Sequence, residues 1–174
     1  MKKTKRLVID SDVARSAGTT EDPISQSCRE VLEAVRDICH KVVLTEDIFA
    51  EWKRHRSNFT AVWMKSMAAR RKWVILKEVT NADLRVRIDA LSLDEQTLDI
   101  IRKDVHLVEA ALETDHIIIS RDEKARTLFQ KASEEIGELK RIVWTNPVRE
   151  EEHVKDWLSE GAKLERSRQF REKS

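Results

Sequence analysis

Short, almost wholly apolar runs recur along this chain, and each is followed by sequence with helical periodicity. The clearest are Arg6-Leu7-Val8-Ile9, Val42-Val43-Leu44, His116-Ile117-Ile118-Ile119-Ser120 and Ile142-Val143-Trp144, and residues 74–79 also read as extended. A strand that is apolar on both faces needs cover on both faces. Strands of this kind alternating with helices predict an α/β chain with a short parallel sheet between two helical layers. With only 3 Gly and 2 Pro in 174 residues, turn-rich all-β and linker-like designs are excluded. The length suits one domain with a short appendage.

Apolar spacings of three and four predict a helix over residues 26–40, through Cys28, Val31, Leu32, Val35, Ile38 and Cys39. Thr45 is a good N-cap for a helix carrying Ile48, Phe49 and Trp52. Further helices are expected over about 58–72, 81–92 and 123–136. The best formed spans 94–113, with Leu98, Ile101, Val105, Val108 and Leu112 on one stripe. Asn146-Pro147 closes the domain, giving residues 1–147 and a charged helical extension over 148–174. Val154, Trp157, Leu158 and Leu164 could dock that extension along one seam, with the last dozen residues fraying.

Charged residues make up 37% of the chain, but 33 basic against 32 acidic leave a net charge of +1. That balance argues against a disordered acidic or basic tail protein. No apolar run approaches the ~20 residues of a membrane span. The opening MKKTKR is followed by only three apolar residues, too few for a signal-peptide core. A soluble, cytoplasmic protein without a membrane partner is expected. Cys28 and Cys39 would lie roughly 16 Å apart on one helix at ~1.5 Å rise per residue. That is beyond the ~7 Å a disulfide tolerates, so buried thiols are expected.

Four acids stand in places where acids are costly or well aimed. Asp10 ends the first strand, and Asp122 lies two residues beyond Ile119. Both therefore sit at the carboxyl edge of the sheet, where open parallel sheets bind ligands. Either could also be a turn or capping Asp. Asp104 has Ile100, Ile101, Leu107 and Val108 at helical neighbour positions. A carboxylate there needs a cation, which is either an Arg in a structural ion pair or a metal. Glu51 falls between Ile48 and Trp52 on the apolar shoulder of its helix, or is simply solvated. The common explanation for all four is a divalent metal site of carboxylate oxygens, suited to Mg²⁺ or Mn²⁺.

In order, Val8-Ile9-Asp10-Ser11-Asp12, Leu44-Thr45-Glu46-Asp47-Ile48-Phe49-Ala50-Glu51, Lys103 to Ala111 around Asp104, and Ile119-Ser120-Arg121-Asp122 resemble the successive motifs of PIN-domain nucleases. The likeness spans about residues 6–146. It implies a three-layer α/β/α fold and a metal-dependent ribonuclease, commonly the toxin of a toxin–antitoxin pair. An antitoxin protein and a homodimer are the partners it implies besides RNA. Asp10, Glu51, Asp104 and Asp122 would be the catalytic quartet, with Asp10, Asp104 and Asp122 as metal ligands. Ser120 matches the family's small hydroxyl residue before the last acid. Asp12 departs from the family pattern, as an added ligand or a helix cap. Lys124 stands where relatives often carry another acid, which bears on a second metal position.

Hydrolysis of a phosphodiester needs an activated water and a way to absorb charge, and carboxylate-held metal supplies both. For RNA, residues 53–72 hold seven basic residues and no acid: Lys53, Arg54, Arg56, Lys65, Arg70, Arg71 and Lys72. Trp52, Phe59, Trp63 and Trp73 interleave with them and could stack on unpaired bases, or face the core. His106 points about 200° around the helix from Asp104, at ~100° per residue, so no catalytic imidazole is expected beside that acid. Asp10-Ser11-Asp12 also fits haloacid-dehalogenase-type phosphatases, but the strand ending Trp144-Thr145-Asn146-Pro147 brings no acid. A non-catalytic RNA-binding or protein-interaction module on the same fold is the competing reading.

Overall fold

The computed structural model describes residues 3–170. Its sheet is five-stranded and all parallel, in the order β3-β2-β1-β4-β5. The strands are β1 (Arg6–Ile9), β2 (Lys41–Leu44), β3 (Trp73–Ile75), β4 (Ile117–Ile119) and β5 (Val143–Thr145). Leu7, Val8 and Ile9 of β1 and all of β4 are fully buried. That is why these stretches read as unbroken apolar runs rather than alternating ones. The edge strand β3 is only half-buried, with Ile75 exposed.

Among the described residues eight α-helices complete the fold: α1 (Ser11–Ser16), α2 (Pro23–Asp37), α3 (Glu46–His55), α4 (Asn58–Ala69), α5 (Ala82–Asp89), α6 (Glu95–Leu112), α7 (Glu123–Ala132) and α8 (Val154–Ser159). Helix α2 packs on α1, α4 and α8, while α6 packs on α5 and α7. Two helical groups around one sheet are compatible with three α/β/α layers. No helix among the described residues is long and apolar enough to cross a membrane.

Helix α3 starts on its expected cap, and α6 where its span was expected to begin. Thr45 Oγ1 accepts from the Ile48 N–H, and Asp94 accepts from the Thr97 N–H. Others begin or end elsewhere. Asp22 caps α2 with Pro23 in its first turn, three residues ahead of the expected start. The pyrrolidine fixes φ there without losing a needed donor. Helix α7 stops at Ala132, so residues 133–136 leave the helix where its last turn was expected, and a 3₁₀ helix follows at Gly137–Arg141. Cys28 is buried and Cys39 half-buried.

Among its described residues the extension is anchored at Phe170 rather than frayed. Phe170 is buried on Trp144, which also stacks on Phe129 at 5.8 Å. The Phe170 N–H donates to the Ile142 carbonyl, and Ser133 Oγ donates to the Phe170 carbonyl. Val154, Trp157 and Leu158 pack inward as expected, but Leu164 is exposed. Residues 171–174 lie outside the described ones.

Candidate active site

The order of strands reverses between β1 and β4, which are neighbours although far apart in sequence. At such a reversal the chain leaves the carboxyl edge in opposite directions and opens a crevice. Asp10 and Asp122 follow these two strands, so the sheet itself brings them to one crevice.

Asp10 occupies the cap position of α1, yet its side chain makes no capping hydrogen bond. It is buried, and its Oδ2 accepts from Ser120 Oγ at 2.8 Å. Ser120 Oγ in turn accepts from the Asp122 N–H at 3.0 Å. Asp12, in the first turn of α1, accepts from the Arg121 N–H at 3.1 and 3.3 Å, tying α1 to the loop after β4. It therefore links that helix to the loop rather than capping its own helix. Asp122 Oδ1 accepts from the Ala125 N–H at 2.9 Å and caps α7. The capping role foreseen for Asp122 is thus real.

Asp104 comes from α6 and is 7% exposed. Among the described residues it forms no ion pair, so none of them is the structural Arg partner that would explain it. Burial, then the charges of Asp10 and Asp122, push its carboxyl up to about 7. Burial and the charge of Asp10 likewise push Asp12 up to about 7. Asp10 is also raised, by burial first and then by Glu51, with the Ser120 hydroxyl acting against the rise. Asp10, Asp12 and Asp104 therefore feel neighbouring acids as like charges, and at Asp104 the charges of Lys103 and His106 offset that repulsion only in part.

Glu51, on α3, faces α6. His106 Nε2 lies 3.3 Å from Glu51 Oε2, within ion-pair range though poorly aligned for a hydrogen bond. His106 Nδ1 lies 3.0 Å from the Lys103 carbonyl. Both ring nitrogens thus face acceptors, which favours the doubly protonated imidazolium. Burial opposes that charge, but Glu51 and Asp104 outweigh it and raise His106. The imidazole in turn holds Glu51 below its ordinary range. His106 is turned away from Asp104, as the helical arc requires, yet it reaches the acid cluster through Glu51. The sequence offers no signal for this contact, because it depends on how α3 docks on α6.

The basic stretch divides. Arg54 lines a concavity with Glu51, Lys103 and His106. Arg70, Arg71 and Lys72 precede β3 and so lie at the amino edge of the parallel sheet, opposite the acids. Lys72 Nζ donates to the carbonyls of Val35, Arg36 and Ile38, where α2 ends. There it neutralises a helix C-terminus rather than waiting for phosphate. Lys53 lies over the Phe49 ring at 5.5 Å, and Arg56 donates to Met64 Sδ. Trp52 and Trp63 are buried against each other at 5.8 Å and offer no face for a base.

Mg²⁺ commonly binds through one or two carboxylates and keeps several waters. Among the described residues no three Asp, Glu, His or Cys side chains form a ready group of direct ligands. The donor set nevertheless fits a hydrated hard cation. Asp10 and Asp104 are buried, oxygen-only, mutually repelling and without a protein cation in contact.

One pH effect follows for the metal-free protein. Asp104 and Asp12 lose their protons near pH 7 in the fold but near ~4 when unfolded. Between those values the native state holds more protons, so stability falls as pH rises and the full penalty stands above about 7. His106, raised in the fold, adds to the fall, whereas the lowered His116 opposes it. The melting temperature without metal is expected to drop from pH 5 to 7.5, and Asp104→Asn to flatten that drop. An equal drop in both proteins would contradict the assignment.

No family model matches the chain, and no curated protein matches it in sequence.

Proposed function

We propose that this chain is a metal-dependent endoribonuclease of the PIN-domain kind, hydrolysing RNA phosphodiester bonds at the crevice between β1 and β4. The observation that carries the reading is Asp104. It is a buried carboxylate with no ion-pair partner among the described residues, raised to about 7 by burial and by Asp10 and Asp122, with the charges of Lys103 and His106 only partly offsetting them. A fold that served only stability would pair or remove such a group.

Asp10 and Asp104 would hold Mg²⁺ or Mn²⁺, with Asp122 contributing from its capping position. The ion supplies a water of lowered pKa and takes up charge on the phosphate. Ser120 fixes the Asp10 carboxylate by its 2.8 Å hydrogen bond. Glu51, kept ionised by His106, orients the attacking water. Asp12 anchors the loop that carries Ser120 and Asp122.

Metal should raise the melting temperature, since a ligand of the folded state alone stabilises it by mass action. At about 100 times its Kd the gain is roughly 2.7 kcal/mol, or roughly 5–10 °C for a chain of this size. Asp10→Asn should lose most of that shift. Millimolar Mg²⁺ and Mn²⁺ both leaving the melting curve unmoved would sink the metal site. The non-catalytic reading draws on Asp122, whose carboxylate is already engaged at α7. It predicts RNA binding that is indifferent to metal and never leads to cleavage.

A further inference from the structure

A cleft of about 260 Å³ opens beside the acids, between α3 and α6. Its walls carry more positive than negative groups: Arg54, Arg85, Arg102, Lys103 and His106 against Asp47 and Glu51. Two of these cations are already spent. Arg85 is paired with the buried Glu109 through two hydrogen bonds, at 2.6 and 3.0 Å. Arg102 is shared among Asp89, Glu95 and Asp99 at 2.8 to 3.0 Å.

Arg54 and Lys103 are different. Both side chains are exposed, and among the described residues neither takes part in an ion pair or hydrogen bond. They stand on either side of the cleft, one on α3 and one on α6, and the fields of both reach Glu51. The cleft floor holds His106 Nε2, buried and without a well-aligned partner. Such an arrangement suits an anion with several oxygens.

There is also a physical need for one. A polyanion approaching Asp10, Asp12, Asp104 and Asp122 is repelled by all of them, and only cations at the rim can offset that. We infer that Arg54 and Lys103 form a phosphodiester subsite, gripping a backbone phosphate of single-stranded RNA beside the bond hydrolysed at the acid cluster. This rests on the nuclease reading and names where its substrate is held. Arg54 and Lys103 are positioning residues in it and take no part in the chemistry.

The probe is a fluorescein-labelled single-stranded RNA oligonucleotide, with binding measured in EDTA and cleavage in Mg²⁺. Arg54→Ala/Lys103→Ala should weaken binding about tenfold. It should also reduce the slope of log affinity against log salt by roughly 0.7, the value for one phosphate of a single strand no longer neutralised. Cleavage should suffer through KM, with kcat changed less than about threefold. Arg54→Lys/Lys103→Arg should restore most of the slope, which a merely structural role would not explain. Arg70→Ala/Arg71→Ala, at the far edge of the sheet, should produce less than half of the slope change.

Unchanged affinity and slope in Arg54→Ala/Lys103→Ala would overturn the subsite, as would an equal loss in Arg70→Ala/Arg71→Ala. Wild-type protein that binds no RNA would overturn it as well. The two claims fail separately. Metal-dependent cleavage with an unaltered slope in the double variant keeps the nuclease and removes the subsite. Charge-dependent binding without any cleavage keeps the subsite and removes the nuclease.

Discussion

Asp104→Asn should cut RNA cleavage at least a hundredfold, on the order of 3 kcal/mol of lost transition-state stabilisation. The amide keeps the shape and most of the hydrogen-bonding capacity but removes one negative charge. Metal-free stability should hold or rise, because the carboxyl pressed up to about 7 by burial, Asp10 and Asp122 is no longer there. Loss of a partner from a buried ion pair would instead destabilise by several kcal/mol. No such partner is present among the described residues, so the sign of the stability change is a clean readout. Asp94→Asn is the control on the same helix. Asp94 caps α6 through Thr97, a role that Asn fills nearly as well, and cleavage should be almost untouched. A stable Asp104→Asn protein that cleaves at the wild-type rate would end the assignment.

Trp52→Ala should be the most damaging single change to the fold. The indole is fully buried against Trp63, and its Nε1–H donates to the Ile9 carbonyl at 2.9 Å. Truncation leaves a large cavity, at about 3–5 kcal/mol. It also orphans a carbonyl one residue before Asp10, so metal affinity should fall along with the melting temperature. Trp52→Phe fills much of the space and loses mainly the hydrogen bond, near 1 kcal/mol. Chemical denaturation of the two variants, compared with wild type, measures both effects. Were Trp52 a base-stacking residue, Trp52→Ala would lower RNA affinity and leave stability alone.

The strands and most helix starts were legible because each has a local cause. Apolar runs mark β1, β2 and β4, and Thr45 and Asp94 mark their helices by accepting from N–H groups three residues on. Helix α1 was not legible, since six residues between a strand and a loop are too few to display a period. Phe170 was missed because a single aromatic in a charged tail has no pattern around it, only Trp144 waiting in space.

The acids could be picked out because a carboxylate between aliphatic neighbours conflicts with its surroundings at the sequence level. The acids do meet electrostatically: the charge of Glu51 acts on Asp10, that of Asp10 on Asp12, and those of Asp10 and Asp122 on Asp104. What sequence could not supply was the docking of α3 on α6, and with it the Glu51–His106 contact and the Arg54–Lys103 cleft. The run of basic residues was visible as a run. Geometry then sent its members to opposite edges of the sheet, because α3 starts at the carboxyl edge and α4 returns the chain to the amino edge before β3.

The central claim is that water, activated at the carboxylate cluster, cuts the RNA backbone. The direct measurement is the cleavage of an end-labelled RNA oligonucleotide in EDTA and again in Mg²⁺ or Mn²⁺, with the product ends identified. Cleavage is expected only with metal, giving no 2′,3′-cyclic phosphate, because water rather than the neighbouring 2′-hydroxyl attacks. Cleavage that persists in EDTA, or products ending in cyclic phosphate, would contradict the account.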